Sequence, residues 1–216
     1  MKLYLSSYRI GEKKLELENW IKEHDNRILV IPNALDMFAD GERKTNGIVD
    51  KCNELTQLGF NYEILDLRDY FNKYDLLLKK LEKFKAFYVL GGNVFVLRRA
   101  MKLSGFDCFL KENYDNPNYL YSGFSAGICV LASDLHGIHL VDDPNIDPYN
   151  FGEIIWEGIG LLNYLPVPHY NTPSHPESEK MYDAVDYLKM NNLDYKTLKD
   201  GEVIIIEKNN KLNKKL

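Results

Sequence analysis

Short apolar runs recur along the chain, and between them apolar positions fall three and four residues apart. The runs read as strands and the spaced positions as helices. Lys2–Ser6 is a first strand. Arg27–Pro32 is a second, apolar almost throughout, as a strand covered on both faces must be. Arg43–Leu58 follows as a helix carrying Ile48, Cys52 and Leu55 on one side, and Gly59 closes it. Asn61–Leu65 is a third strand. Tyr74–Phe84 is a helix with Leu77, Leu81 and Phe84 on one face. Ala86–Leu90 is a fourth strand, running into Gly91-Gly92-Asn93, and Val94–Leu103 is a helix stopped by Gly105. Tyr119–Ala132 begins as a strand and ends as a helix of small residues.

The pattern then loosens. Ser133–Gly160 is rich in Asp, Pro, Asn and Gly around Tyr149, Phe151 and Trp156. An aperiodic stretch of this length in a compact domain is expected to be functional or partly disordered. Leu165–Tyr170 is a short extended segment whose prolines suit only an edge strand. Glu177–Met190 is a helix with Met181, Ala184, Val185 and Leu188 inward. Asp200-Gly201-Glu202 is a hairpin turn signal, and Val203–Glu207 is the last strand.

Strands alternating with helices predict an α/β fold, a three-layer, doubly wound and mostly parallel sheet. Such sheets bind ligands beyond the carboxyl ends of their strands. The glycine turn at Gly91-Gly92 and the turn at Ser125 both lie at that end and can face one cleft. A chain of 216 residues is most simply one domain, 1–216. Apolar and charged contents of 45% and 27% are those of an ordinary globular protein. The net charge of −5 argues against nucleic acid and anionic membrane as partners. No apolar run approaches a membrane span, the N-terminus enters a strand without a signal-peptide pattern, and three unpatterned cysteines fit a reducing cytoplasm. The basic end, Lys208–Lys215, reads as a solvated tail. Oligomeric state is open, with monomer and homodimer both compatible.

Gly123-Phe124-Ser125-Ala126-Gly127 is a G-x-S-x-G pattern in a strand–turn–helix context. Such a turn lifts its serine to the top of a sheet, near free helical N–H groups. The plainer reading is a tight turn whose serine caps the helix. A nucleophilic serine needs a base, and the base an orienting carboxylate. Of His24, His136, His139, His169 and His175, His169 is favoured, because prolines and aromatics fix its backbone at a strand end, and His175 is next. Asp134, Asp142, Asp143, Asp147, Glu153 and Glu157 could each supply the acid. The N–H of Ala126 and that of Gly92 are candidate oxyanion donors. Cys129, one turn inside the helix, reads as core. Arg98, Arg99 and Lys102 follow Gly91-Gly92-Asn93 on a helix and read as a solvated helix face. His136, His139, Asp142 and Asp143 offer a loose metal-ligand spacing, but no metal and no cofactor are expected.

Val89-Leu90-Gly91-Gly92-Asn93, Gly123-Phe124-Ser125-Ala126-Gly127, Pro168-His169-Tyr170 and Asp200-Gly201-Glu202-Val203 occur in this order across nearly the whole chain. In this combination the sequence resembles peptidase family S51, the aspartyl dipeptidases (peptidase E) and the related cyanophycinases. The resemblance implies a class I glutamine amidotransferase-like (flavodoxin-like) fold and a serine-type peptidase acting on short peptides, among them dipeptides with N-terminal Asp. It assigns the nucleophile to Ser125, the histidine to His169, the oxyanion donors to Gly92 and Ala126, and the acid to Asp142 of Asp142-Asp143-Pro144, with Asp143 as the alternative acid. The competing functions are an esterase or amidase on a small non-peptide substrate, and a catalytically silent binding protein on the same scaffold.

Overall fold

The computed structural model describes residues 1–207, and the basic end at Lys208–Lys215 lies outside the described residues. Eight strands appear in chain order: β1 (Lys2–Ser6), β2 (Arg27–Ile31), β3 (Asn61–Ile64), β4 (Ala86–Val89), β5 (Leu120–Phe124), β6 (Leu165–Val167), β7 (Tyr195–Thr197) and β8 (Val203–Ile206). The helices are α1 (Lys14–Glu23), α2 (Glu42–Gln57), α3 (Tyr74–Leu81), α4 (Val94–Ser104), α5 (Phe106–Glu112), α6 (Ala126–Cys129) and α7 (Ser178–Met190). Six strands form one sheet in the order β3-β2-β4-β5-β1-β8. All its pairings are parallel except that of β1 with β8.

Side chains alternate across each strand, so one sheet feeds two cores. Leu29, Ile31, Phe87, Val89, Leu3 and Leu5 face one side, where Leu77 and Leu81 of α3, Phe95 of α4, Phe106 of α5 and Met181 of α7 cover them. Ile28, Val30, Ala86, Tyr88 and Tyr4 face the other, beneath Leu17 and Trp20 of α1 and Ile48, Cys52 and Leu55 of α2. This is the doubly wound, mostly parallel α/β architecture that the strand–helix alternation predicts.

Two helices were not legible in the pattern. In α1 only Leu17 and Trp20 are buried, one turn of apolar signal amid charge. In α5, Gly105 is the reason: at φ 82° it ends α4 and at once begins the next helix, so a stop signal conceals a start. The expected hairpin at Asp200-Gly201 is also corrected. β7 pairs in parallel with β6 in a separate two-stranded sheet, whereas β8 pairs antiparallel with β1. The turn therefore passes the chain between sheets instead of folding one strand back on its neighbour.

Three consequences place the site. The carboxyl ends of β2, β4, β5 and β1, which are adjacent in the sheet, lead to Asn33, Gly91-Gly92, Ser125 and Ser7. Because β8 is antiparallel, its start lies at that same end, with Val203 beside Ser6. Because β6 and β7 are parallel, the residues that follow them also lie together, as Leu198 N–H donates to Val167 O and Tyr170 N–H to Leu198 O.

The Ser133–Gly160 stretch is anchored along its length. Arg98 and Arg99, both buried, do the anchoring and are not a solvated helix face. Arg98 Nε donates to Glu157 O and its Nη1 pairs with Asp107. Arg99 donates to the carbonyls of Pro144, Ile146 and Glu153. Tyr149 Oη reaches Asp36 at 2.5 Å, and Asp36 in turn pairs with Lys44. Lys102 stays exposed.

The close approach of β4 to α6 depends on Gly127, where a Cβ would sit 2.4 Å from Val89 O. Gly127→Ala is expected to cost about 1–3 kcal/mol in urea unfolding, as forced overpacking does. Gly47→Ala, in the middle of α2 with only the tip of Lys51 nearby, is expected to stabilise by about 0.5–1 kcal/mol.

Candidate active site

Among the described residues, seven other than glycine have positive φ. Four are asparagines, which tolerate that region; Arg9, Ser125 and His169 remain. Ser125, at φ 50° and ψ −120°, joins β5 directly to α6. Strain of this kind persists only where the surroundings enforce it. Here the surroundings are glycines. A Cβ at Gly91 would lie 2.9 Å from Ser125 Cβ, and one at Gly123 3.1 Å from Gly127 O. The serine stays half-buried, within reach of a ligand.

His169 is buried, two residues beyond β6, at φ 57°. Its Nδ1 lies 2.7 Å from Asp200 Oδ1. Ser7, also buried, joins the parts. Its carbonyl accepts the Ser125 N–H at 3.2 Å. Its hydroxyl accepts the His169 N–H and donates to Asp200 Oδ1, both at 2.8 Å. Tyr8 extends the same segment, its ring edge-on to Phe124, His169 and His175 at 6.1, 5.8 and 5.5 Å. The elbow and the histidine thus hang from one residue at the end of β1.

Asp142 does not meet His169. Its Oδ2 accepts the Val94 N–H at 2.7 Å, at the start of α4, where free N–H groups draw a carboxylate. Asn93 holds the same loop by donating to Asp143 O. The carboxylate against His169 is instead Asp200. In the sequence Asp200 looks like the opening residue of a turn; what marks it is its place just before a strand that runs antiparallel to β1, and that direction is set by sheet topology. Ser7 is equally hidden, a small polar residue at a strand end.

The remaining histidines lie apart from this pair or against it. His136 Nδ1 lies 2.6 Å from Asp134 and its ring stacks on Trp156 at 4.3 Å. His136, His139, Asp142 and Asp143 do not converge as a ligand set among the described residues. His175 stacks on His169 with ring centroids 3.6 Å apart. Cys129 is buried, as expected of a core residue, and burial drives its thiol pKa far up.

Two titrating groups move in opposite directions. Burial lowers His169 to about 4, with the Asp200 hydrogen bond pulling part of the way back. The imidazole is therefore neutral at pH 7, with Nδ1 held by a carboxylate. Burial raises Asp142 to about 7; the Val94 N–H opposes the shift and nearby Glu177 adds to it. The N–H groups of Gly92 and Ala126 have no hydrogen-bond partner among the described residues, and neither do Ser125 Oγ and His169 Nε2. At Gly92, with φ 144°, a Cβ would lie 2.4 Å from Ala34 O, so only glycine brings a backbone N–H here. The arrangement offers a hydroxyl, a neutral imidazole oriented by a carboxylate, and unpaired N–H donors at one end of a sheet.

The chain is an α/β protein in which a serine of positive φ beyond a parallel sheet and a histidine–carboxylate pair are tied to the same residue, Ser7. Residues 6–213 match the model of peptidase family S51, and the chain belongs to that family. Among curated relatives, uncharacterized peptidase Lin0382 of Listeria innocua serovar 6a is 27% identical over 133 residues, 61% of this chain and 60% of its own. Uncharacterized peptidase Lmo0363 of Listeria monocytogenes serovar 1/2a is 28% identical over 130 residues, 59% of this chain and 60% of its own. These matches span about 60% of the relatives' length. Among solved structures, a candidate peptidase E protein from Listeria monocytogenes EGD-e superposes with a TM-score of 0.68 at 22% identity, covering 96% of this chain and 98% of that one. A peptidase from an acI-B1 Actinobacterium superposes with a TM-score of 0.65 at 17% identity, covering 95% and 82%. At these identities the superpositions establish the fold. No helix among the described residues is long and apolar enough to cross a membrane.

The raised pKa of Asp142 carries a sign. Between about pH 4 and 7 the folded chain keeps a proton there that the unfolded chain has lost, so this group makes stability fall as pH rises through that window. His169, depressed to about 4, does the reverse between about 4 and 6.5. Asp142→Asn is expected to make the chain more stable than the wild type at pH 8 and about equal to it at pH 4. Urea unfolding at both values checks this; a mutant less stable at pH 8 would mean that the carboxylate is held as a favourable anion.

Proposed function

We propose that this chain is a serine-type peptidase acting on short peptides. Ser125 Oγ attacks the scissile carbonyl and His169 Nε2 takes its proton. Asp200 accepts the Nδ1–H, holding the tautomer and stabilising the imidazolium as it forms. The N–H groups of Gly92 and Ala126 receive the oxyanion, a role in which a single donor typically contributes about 2.7–4 kcal/mol. His169 then returns the proton to the leaving amine, and water repeats the sequence on the acyl-enzyme.

The observation that carries this reading is the shared anchoring of Ser125, His169 and Asp200 on Ser7. Membership of a peptidase family supports the reaction class. Dipeptides with N-terminal Asp are the first substrates to try, and cytoplasmic location with a single domain over 1–216 completes the proposal. Asp142 serves a different end, tying the Ser133–Gly160 stretch to the start of α4.

A panel of dipeptides and amino-acid p-nitroanilides, led by N-terminal Asp, is the test. Ser125→Ala is expected to lower kcat by about a millionfold; unchanged hydrolysis in that mutant would overturn the proposal. Asp200→Asn is expected to lower kcat by about ten-thousandfold, because the amide favours the wrong tautomer. Asp142→Asn is expected to cost less than tenfold, and the opposite ranking would move the orienting role to Asp142. The acid limb of kcat/KM is expected near pH 4, where His169 gains its proton.

A further inference from the structure

His175 and Glu177 take no part in the proposed chemistry, yet both stand against its base. The ligand-competent atoms of His169, His175 and Glu177 lie within 4.8 Å of one another. Zinc held by nitrogen and carboxylate ligands at about 2.0–2.2 Å needs neighbouring ligand atoms a little over 3 Å apart, so the set closes by side-chain rotation. Two histidines and one glutamate with an open fourth position form a ligand set that zinc takes readily.

The surroundings are built for it. Asp200 occupies His169 Nδ1 and leaves the Nε2 lone pair without a hydrogen-bond partner among the described residues, the carboxylate–histidine arrangement that orients zinc-binding imidazoles. The turn carrying the other two ligands is fixed to the same aspartate. Thr172 Oγ1 accepts the Asp200 N–H, and Thr172 N–H donates to Ser178 Oγ. His175 N–H donates to Thr172 O, closing the turn. Glu177 sits at the start of α7.

The stack itself shows what must move. The two rings are parallel to within 2°. Imidazole lone pairs lie in the ring plane, so two stacked rings cannot point at one ion. His169 is buried and held; His175 is half-buried, its Nδ1 kept only by a 3.3 Å bond from Glu177 N–H. His175 is the ring that turns, and its Nε2 is the atom it brings.

We infer that His169, His175 and Glu177 form a site for a single divalent zinc-type cation, which shuts the peptidase off by taking the lone pair that would accept the Ser125 proton. The inhibitory part rests on the serine-peptidase reading; the site itself does not. It differs from the metal grouping considered in the sequence, which used His136, His139, Asp142 and Asp143.

The test uses the full chain, stripped with a chelator and titrated with cobalt(II), whose visible absorption reports coordination. One ion per chain is expected, with bands of low coordination number displaced by zinc. His175→Ala and Glu177→Gln should each weaken binding at least tenfold, and Asp200→Asn by about 10–100-fold. Zinc should inhibit peptide hydrolysis reversibly, and Glu177→Gln should need at least tenfold more zinc than the wild type for the same fractional inhibition. Absent cobalt bands, or bands indifferent to His175→Ala and Glu177→Gln, would overturn the site. Hydrolysis that zinc leaves untouched would overturn the inhibition. Cobalt binding with the expected residue dependence in a chain that cleaves no peptide would uphold the site and count against the peptidase reading alone. Zinc-stimulated hydrolysis surviving Ser125→Ala would overturn both the inhibition and the serine mechanism.

Discussion

Ser7 is a small residue at the end of β1, and three parts of the candidate site close on it. Its carbonyl takes the N–H of Ser125, and its hydroxyl takes the N–H of His169 while donating to Asp200. Ser125 and His169 both have positive φ, a region that only a few per cent of residues other than glycine occupy. Each could relax into an ordinary conformation if released. A buried hydroxyl with fixed neighbours opposes that release, because a lost hydrogen bond in a buried setting costs about as much as such strain, roughly 1–3 kcal/mol. The candidate site is thus positioned through one strand end, while Ser125 Oγ and His169 Nε2 have no hydrogen-bond partner among the described residues.

The sheet makes this closure possible. Four adjacent strands end on the same side, and the antiparallel β8 begins there. Parallel pairing of β6 and β7 brings His169 and Asp200 together although 31 residues separate them. Burial then sets their chemistry. His169 is pushed toward the neutral form and retains a carboxylate partner, which suits a base at neutral pH. Asp142 is pushed toward its protonated form, with a backbone N–H as its hydrogen-bond partner, which suits an anchor.

Much of this was legible in the sequence, for physical reasons that also mark the limits. Period-two and period-3.6 patterns revealed the strands other than β7 and most helices, because burial on two faces leaves a regular trace. The G-x-S-x-G turn pointed to Ser125 as the residue at a strand-to-helix elbow, since steric demands there restrict the residues beside it. His169 stood out by its fixed backbone between prolines and aromatics. Asp200 did not, because Asp-Gly before a strand reads as turn chemistry, and nothing local reveals which sheet the strand joins. Asp142 was given the acid role by the family resemblance alone, yet a helix start draws a carboxylate just as readily. Arg98 and Arg99 followed the pattern of an exposed face while serving to hold an aperiodic stretch by its carbonyls. Each miss involves contacts distant in sequence, which periodicity does not encode.

The central claim is that Ser125 is an activated nucleophile. A serine-directed phosphonate tests it without any choice of peptide, since reaction needs only an activated hydroxyl and an oxyanion site. Intact-mass spectrometry followed by peptide mapping is predicted to find one adduct per chain, on Ser125, formed far more slowly when His169 is replaced by Ala. No adduct, or one on another residue with Ser125 unmodified, would contradict the account.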